Sequence, residues 1–145
     1  TELVAAIGAH APQLPEDLMM SSDQLRQLSA AGMGIGAHTV SHPILTRIGD
    51  EQACQEMADG KQQLEALLGK PVILFAYPNG KPGQDYGPQH ASMARELGFR
   101  AAVTTAPGVS DAGSDRWQLP RFTPWDRTHG RFLLRLLMNR YGLIG

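Results

Sequence analysis

The stretch Ala31-Gly32-Met33-Gly34-Ile35-Gly36-Ala37-His38-Thr39-Val40-Ser41-His42-Pro43 carries the strongest signal in this chain. A glycine-punctuated apolar run over residues 33–37 predicts a short strand, and two histidines four positions apart follow it. Imidazole nitrogen is a good ligand for zinc and related metals, so the spacing predicts that His38 and His42 form a metal site at a strand end. On spacing alone, a pair of hydrogen-bonded structural histidines is the alternative.

The rest of the chain alternates between helical and extended patterns. We predict helices over 23–31 (with Ser22 as N-cap), 50–68, 90–97 and 132–139, and strands over 33–37, 72–76, 99–105 and 117–123. This alternation is typical of an α/β protein with mostly parallel strands. The continuous apolar run 72–76 predicts a strand that is buried on both faces.

Length, charge and composition exclude several classes of protein. The chain has 145 residues and a net charge of -1, which gives no electrostatic reason to bind nucleic acid or an anionic membrane. No apolar run approaches the roughly 20 residues of a transmembrane helix. The single cysteine, Cys54, excludes an internal disulfide and a cysteine-rich zinc site. Because the chain begins at Thr1 in mid-pattern, we expect a fragment of a larger domain.

Two polar loops follow predicted strands. One contains His38, and the other is the loop Tyr77-Pro78-Asn79-Gly80. In α/β proteins, active groups gather beyond the carboxyl ends of parallel strands. We therefore expect these two loops to build one site.

These residues also resemble a known family. Gly36–Pro43 resembles the second motif of the polysaccharide deacetylases (the NodB homology domain), and Phe75–Gly80 looks like the third motif. The segments Ala94–Thr104 and Leu119–Phe122 match the same variant, so the resemblance runs from about residue 20 to 125. It implies that residues 1–145 form a single domain, a partial, distorted (β/α) barrel of the polysaccharide deacetylase type whose N-terminal strands are missing.

The resemblance implies a function as well as a fold. It implies a metal-dependent hydrolase that removes N-acetyl groups from a carbohydrate polymer, with a divalent metal, most often zinc, bound by His38 and His42. The Asn79 backbone N–H would donate to the oxyanion, and a sugar groove would be lined by Tyr77, Pro78 and Trp125. The implied partner is an N-acetylated polysaccharide or oligosaccharide, and the implied location is periplasmic, extracellular or at the cell envelope.

The sequence departs from the family pattern in ways that bear on activity. The family's first motif contains an Asp-Asp pair that supplies the third metal ligand and the catalytic base, and this sequence has no such pair. We therefore expect this chain to bind metal weakly and to be inactive alone. Ala76 stands where the family has an arginine, and Arg121 is our candidate to orient a missing Asp base. The family's general-acid histidine also has no counterpart, since the spacing of His129 does not match.

Other interpretations remain open on the sequence. The chain could be a non-catalytic carbohydrate-binding domain that retains the deacetylase fold, or a hydrolase of another amide. We expect Thr39 and Ser41 to brace the histidine loop and His90 to lie on the surface. In the last helix, we expect the arginines to face solvent, and we expect Asp126 to be a solvated loop acid. Exposed sheet edges predict a homo-oligomer.

Overall fold

Parallel strand pairing organises the larger of two compact units in the computed structural model, which describes residues 19–123 and 125–143. The units are Thr1–Met33 and Gly34–Gly145, and helix α1 (Ser22–Ala30) lies in the first. In chain order, the second unit contains a 3-10 turn (Leu45–Arg47), helix α2 (Asp50–Leu68), strand β1 (Leu74–Ala76), helix α3 (Pro88–Glu96), strand β2 (Ala101–Val103) and helix α4 (His129–Arg140).

The strands pair in the order in which they occur along the chain. β1 and β2 are parallel and in register, with Phe75 opposite Ala102. Ala37 forms a parallel bridge to Phe75 on the other side of β1, and Leu119 forms one to Val103 beyond β2. Helices α2 and α3 lie in the connections on either side of β1. This arrangement confirms the predicted α/β class with parallel strands.

The regular strands are shorter than the sequence predicted. The predicted strands 33–37 and 117–123 are each reduced to one bridging residue, and 99–105 is reduced to three residues. Glycines in the first segment leave few side chains to pack on the sheet, and Pro120 has no N–H to donate to a ladder. Pairing therefore persists only at the centre of each segment.

The prediction that β1 is buried on both faces was wrong. Phe75 is 2% exposed, whereas Leu74, which points to the other face, is 41% exposed. The strand therefore presents one face to the core and leaves the other partly open to solvent. A continuous apolar run does not distinguish these two cases, because it carries no information on what covers each face.

The core of the second unit lies between the short strands and two helices. Ala53 and Met57 of α2 and Ala94 of α3 belong to one buried cluster with Phe75 and Phe99 of the sheet region. The bounds predicted for α2 are confirmed, from its acidic first turn to the glycine that ends it. Burial at intervals of four and three residues along α2 explains why its helical pattern was clear.

Three helices begin earlier than predicted, and α4 does so at His129 rather than at residue 132. The N-cap of α1 is Ser21 rather than Ser22, because Ser21 and Gln24 exchange hydrogen bonds in a capping box. Helix α3 begins at Pro88, a residue that suits the first turn because no intrahelical partner is needed for its nitrogen. His90 then falls in this first turn and is fully buried, which corrects the expectation that it lies on the surface.

The surface of α4 differs from the prediction. Leucines, rather than only arginines, are exposed along this helix: Leu133, Leu134, Leu136 and Leu137. Arg135 is only partly exposed because its Nε lies 2.8 Å from Oδ2 of Asp126. The Asp126 side chain is 9% exposed, so the expectation of a solvated acid was wrong.

The described residues include no helix that is both long and apolar enough to cross a membrane.

Candidate active site

The two histidines of the opening motif lie side by side. The ring centroids of His38 and His42 are 4.7 Å apart, with an interplanar angle of 73°, and both residues are exposed. His38 directly follows Ala37, whose N–H and C=O bond to the β1 backbone at Leu74 and Ala76. The pair therefore follows directly on the residue that bridges to β1, with both rings accessible to a ligand.

A backbone hydrogen bond fixes the tautomer of His38. Its Nδ1 lies 2.7 Å from the carbonyl oxygen of Ala76. A carbonyl oxygen only accepts, so Nδ1 carries the hydrogen and the lone pair of the neutral ring lies on Nε2. The Ala76 carbonyl thereby sets the orientation of the His38 ring, as carbonyl and carboxylate partners commonly do for histidines in metal sites.

The residues between the histidines hold the loop in an uncommon backbone conformation. Thr39 has a φ of 62° and His42 a φ of 59°, both in the left-handed region. The Thr39 hydroxyl donates to the His38 carbonyl at 2.6 Å and accepts from the His42 N–H at 3.1 Å. Thr39 therefore ties the two histidines together, in agreement with the bracing role expected for it.

Glu56 is a part of this site that the sequence analysis missed. Its Oε2 accepts from the N–H groups of Val40 and Ser41 at 2.9 Å, and its Oε1 accepts from the Ser41 hydroxyl at 2.7 Å. The side-chain bond from Ser41, followed by its backbone bond, lowers the pKa of Glu56, with a smaller contribution from Val40. In the sequence, Glu56 could have been noticed as a carboxylate that lies three residues after Ala53, near the buried face of α2.

Helix α2 approaches the histidine loop closely at Gly60. A Cβ atom on Gly60 would lie 2.8 Å from the carbonyl oxygen of Thr39. Real Cβ atoms do not come this close to a backbone oxygen, so this position requires glycine. The helix therefore supports the loop at two points, through the Glu56 carboxylate and through backbone contact at Gly60.

The second predicted loop follows β1 and presents a backbone donor. Asn79 is exposed and has a φ of 55°, a conformation that asparagine tolerates better than most residues. Its carbonyl accepts from the Thr105 hydroxyl at 2.7 Å, which holds the turn against the residues that follow β2. Among the residues that the structure describes, no acceptor takes the Asn79 N–H.

Tyr77 and Pro78 lie in the interior and not in an open groove. Tyr77 is 1% exposed, stacks on Tyr86 with ring centroids 3.8 Å apart, and donates its hydroxyl hydrogen to the Trp117 carbonyl at 2.8 Å. Burial raises the pKa of Tyr77 far above its ordinary value. The side chains of Tyr77 and Pro78 therefore pack into the interior and support the loop from there. This position does not agree with the sugar-contacting role expected for them.

An open groove brings together three of the residues singled out from the sequence. Asn79, Arg121 and Trp125 line a cavity of about 690 Å³, and Lys81 adds a second cation. Trp125 is 77% exposed, and Arg121 is also exposed. Asn79 in this groove lies three residues after Ala76, the β1 residue whose carbonyl oxygen receives the His38 hydrogen bond. A groove with an aromatic face, two cations and a backbone donor suits a polar, ring-containing ligand.

The donor set fits a divalent metal in part. The Ala76 contact leaves the Nε2 lone pair of His38 for a ligand, and His42 lies beside it, which gives two of the three protein ligands usual in a catalytic zinc site. Within residues 19–123 and 125–143, no group of three His, Cys, Asp or Glu side chains is placed to hold a metal ion. A third protein ligand would have to come from outside these ranges.

Comparison with known proteins identifies the family. The sequence profile described as "Polysaccharide deacetylase" matches residues 4–102, which is more than half of the chain. The chain therefore belongs to the polysaccharide deacetylase family.

Individual relatives agree with this assignment. The chain is 26% identical over 102 residues to a protein of Bacillus subtilis (strain 168) that bears the name polysaccharide deacetylase YxkH. This match covers 70% of the chain and 35% of YxkH. The Streptococcus pyogenes deacetylase PplD, solved in complex with acetate, superposes with a TM-score of 0.73 at 27% identity over 83% of this chain and 51% of PplD.

More distant solved structures show the same fold. BC0361, a polysaccharide deacetylase from Bacillus cereus, has a TM-score of 0.70 at 21% identity and covers 84% of this chain and 38% of its own. IcaB from Ammonifex degensii has a TM-score of 0.68 at 22% identity, over 84% and 54% of the two chains. This chain thus spans about a third to a half of the length of these relatives, and its described part adopts a portion of the deacetylase-type fold.

Proposed function

We propose that this protein acts as a metal-dependent carbohydrate deacetylase that hydrolyses N-acetyl groups of a polysaccharide or oligosaccharide. The observation that carries the proposal is the adjacent His38–His42 pair beside β1, with the His38 tautomer set by a carbonyl oxygen of that strand. Membership of the polysaccharide deacetylase family supports the same chemistry. The chain covers only part of the length of its relatives. We therefore propose the activity for the intact protein, by which we mean the full protein that contains residues 1–145.

In this proposal, His38 and His42 hold a divalent metal, most often zinc in this class of site. When bound, such a metal supplies polarisation of the acetamide carbonyl and a lower pKa for an attacking water. The Asn79 N–H donates a hydrogen bond to the oxygen of the tetrahedral intermediate, where negative charge develops. Its fixed backbone position, held by the bond from Thr105, means that no reorganisation is needed as that charge appears.

The groove binds the polymer in this proposal. The exposed indole of Trp125 offers an apolar face to a sugar ring, and Arg121 donates hydrogen bonds to ring substituents or orients a carboxylate base. Glu56 is a poor candidate for that base, because both of its oxygens accept hydrogen bonds from the histidine loop. We expect the base and the third metal ligand to come from outside the described residues, so the chain alone should bind metal weakly and turn over little substrate.

Release of acetate by the intact protein tests the proposal. Chitooligosaccharide and poly-N-acetylglucosamine are the substrates, and the variants are His38→Ala and His129→Ala. His129 is an exposed histidine at the start of α4, so its removal should leave turnover unchanged, whereas His38→Ala should abolish it. Full turnover by the His38 variant would refute the deacetylase mechanism.

A non-catalytic carbohydrate-binding domain is the second candidate. The observation in its favour is the 77% exposed Trp125 in an open groove, an arrangement that suits sugar binding without chemistry. Sugar binding that survives His38→Ala in a protein that releases no acetate would favour this candidate.

The homo-oligomer expected from the sequence stays a prediction, and a light-scattering mass tests it.

A further inference from the structure

The Glu56 carboxylate on α2 is hydrogen-bonded to the segment between the two histidines. Glu56 accepts hydrogen bonds from two consecutive backbone N–H groups, those of Val40 and Ser41, and from the Ser41 hydroxyl. All three distances lie between 2.7 and 2.9 Å. Bonds from N–H or O–H to an ionised carboxylate are stronger than neutral ones, so this contact is the main polar link from the loop to the helix.

The loop requires such a link because its backbone is in a costly conformation. Thr39 and His42, neither of them glycine, both have a positive φ. For a β-branched residue such as Thr39 this conformation is a genuine outlier, and such residues persist only where the surroundings hold them. Glu56 bonds to the two residues between them, and Gly60, one turn further along the same helix, is in close backbone contact with Thr39.

We propose that Glu56 is a positioning residue that sets the separation and orientation of His38 and His42, and hence the affinity of the pair for a divalent cation. This inference rests on the proposed function, since it assumes that the pair binds metal. The His38 ring is already held from the strand side by the Ala76 carbonyl. His42 has its N–H bonded to the Thr39 hydroxyl, so its position follows the loop that Glu56 holds.

In this proposal, two different elements hold the two histidines. Strand β1 fixes the first imidazole, and helix α2 fixes the second through the loop. Without Glu56 the loop can relax to ordinary backbone angles, which moves His42 relative to His38. Loss of partners that orient metal ligands typically weakens metal affinity about 10- to 100-fold.

The test measures zinc affinity of the intact protein by competition calorimetry, with the unfolding midpoint in urea recorded for each variant. Glu56→Ala should weaken zinc binding about 10-fold or more. Glu56→Gln should recover part of that loss, because its amide oxygen can still accept from Val40 and Ser41. Glu51→Ala is the matched control, since it removes a carboxylate from the exposed first turn of the same helix and should leave affinity unchanged.

A spectroscopic measurement separates positioning from a merely structural role. In Co²⁺-substituted protein, the visible absorption bands should shift in Glu56→Ala and not in Glu51→Ala, because the bands report ligand geometry. If Glu56→Ala does not fold, Glu56→Gln and Ser41→Ala decide, and both should weaken zinc binding relative to Glu51→Ala.

The outcomes also separate this inference from the proposed function. Zinc affinity unchanged by His38→Ala would overturn the metal site itself. Zinc affinity abolished by His38→Ala but equal in the Glu56 and Glu51 variants would overturn the role of Glu56 and leave the site standing.

Discussion

The carbonyl oxygen of Thr39 faces the α-carbon of Gly60 so closely that a methyl group there would lie 2.8 Å from it. The contact joins the loop between the two histidines to the middle of α2. Because it involves backbone atoms of the loop, it leaves little room for adjustment. The identity of residue 60 thus limits where the histidine loop can lie.

Gly60→Ala should destabilise the protein although alanine favours helices. In an open helix the change would add about 1 kcal/mol of stability, but here the methyl group must displace the Thr39 carbonyl, at a cost of about 1–3 kcal/mol. Urea unfolding measures the difference. Gly130→Ala in α4 is the control, because a Cβ there meets nothing within 4 Å and should be neutral or slightly stabilising. Equal effects of the two substitutions would contradict this account of Gly60.

Trp125→Ala should raise the KM for an oligosaccharide several-fold and leave stability within about 0.5 kcal/mol of the original. The indole is largely exposed and lies in the groove, so its loss removes ligand contact and little packing. Tyr141→Ala is a suitable comparison, since Tyr141 is 72% exposed and does not line that groove. Steady-state kinetics and urea unfolding measure the two effects, and an unchanged KM would remove Trp125 from the binding site.

Tyr77→Phe should affect stability and not substrate binding. The change deletes the hydroxyl that donates to the Trp117 carbonyl, which costs about 1 kcal/mol, and it retains the ring that stacks on Tyr86. The free energy of unfolding should fall while KM stays constant. A raised KM at unchanged stability would instead restore Tyr77 to the sugar groove.

Stability should fall as the pH drops below about 6.5, and His90 should be responsible for part of this fall. Burial lowers the pKa of His90, against a smaller opposing effect of Asp50, whose Oδ1 lies 3.9 Å from Nε2. The unfolded chain therefore takes up a proton at a higher pH than the folded one. The resulting loss of stability begins near the unfolded pKa and levels off below the folded pKa.

His90→Gln isolates this contribution. Glutamine at this position can still accept from the Gly87 N–H, as Nδ1 of His90 does at 2.9 Å, but it does not titrate. Unfolding free energies at pH 7.5 and 5.5 should differ less in His90→Gln than in the original protein. His129→Gln, at an exposed histidine, should keep the original difference, and an unaltered difference in His90→Gln would exclude His90 as its source.

The parts of the site that were predictable from sequence are those set by local signals. The His38–His42 spacing, the Asn79 loop and the whole of α2 follow from short motifs and helical periodicity, and the structure places the two imidazoles side by side. Glu56 acts on residues 15 and 16 positions away, so only tertiary packing reveals it.

The burial of aromatic and histidine side chains was less predictable for the same reason. Tyr77 belongs to a loop by composition, yet its ring enters the core and stacks on Tyr86, nine residues further along. His90 looks like a polar helix residue, yet it is fully buried, and its Nε2 lies 3.9 Å from Asp50 of α2. In both cases the deciding partner lies in another segment or turn, which pattern and propensity do not encode.

Because His38 is held by the main chain of residue 76, replacing the side chain at that position leaves this support in place. The tautomer that the first imidazole needs therefore does not depend on which side chain residue 76 carries. Substitutions at position 76 that preserve the backbone path should therefore leave the orientation of the first imidazole unchanged.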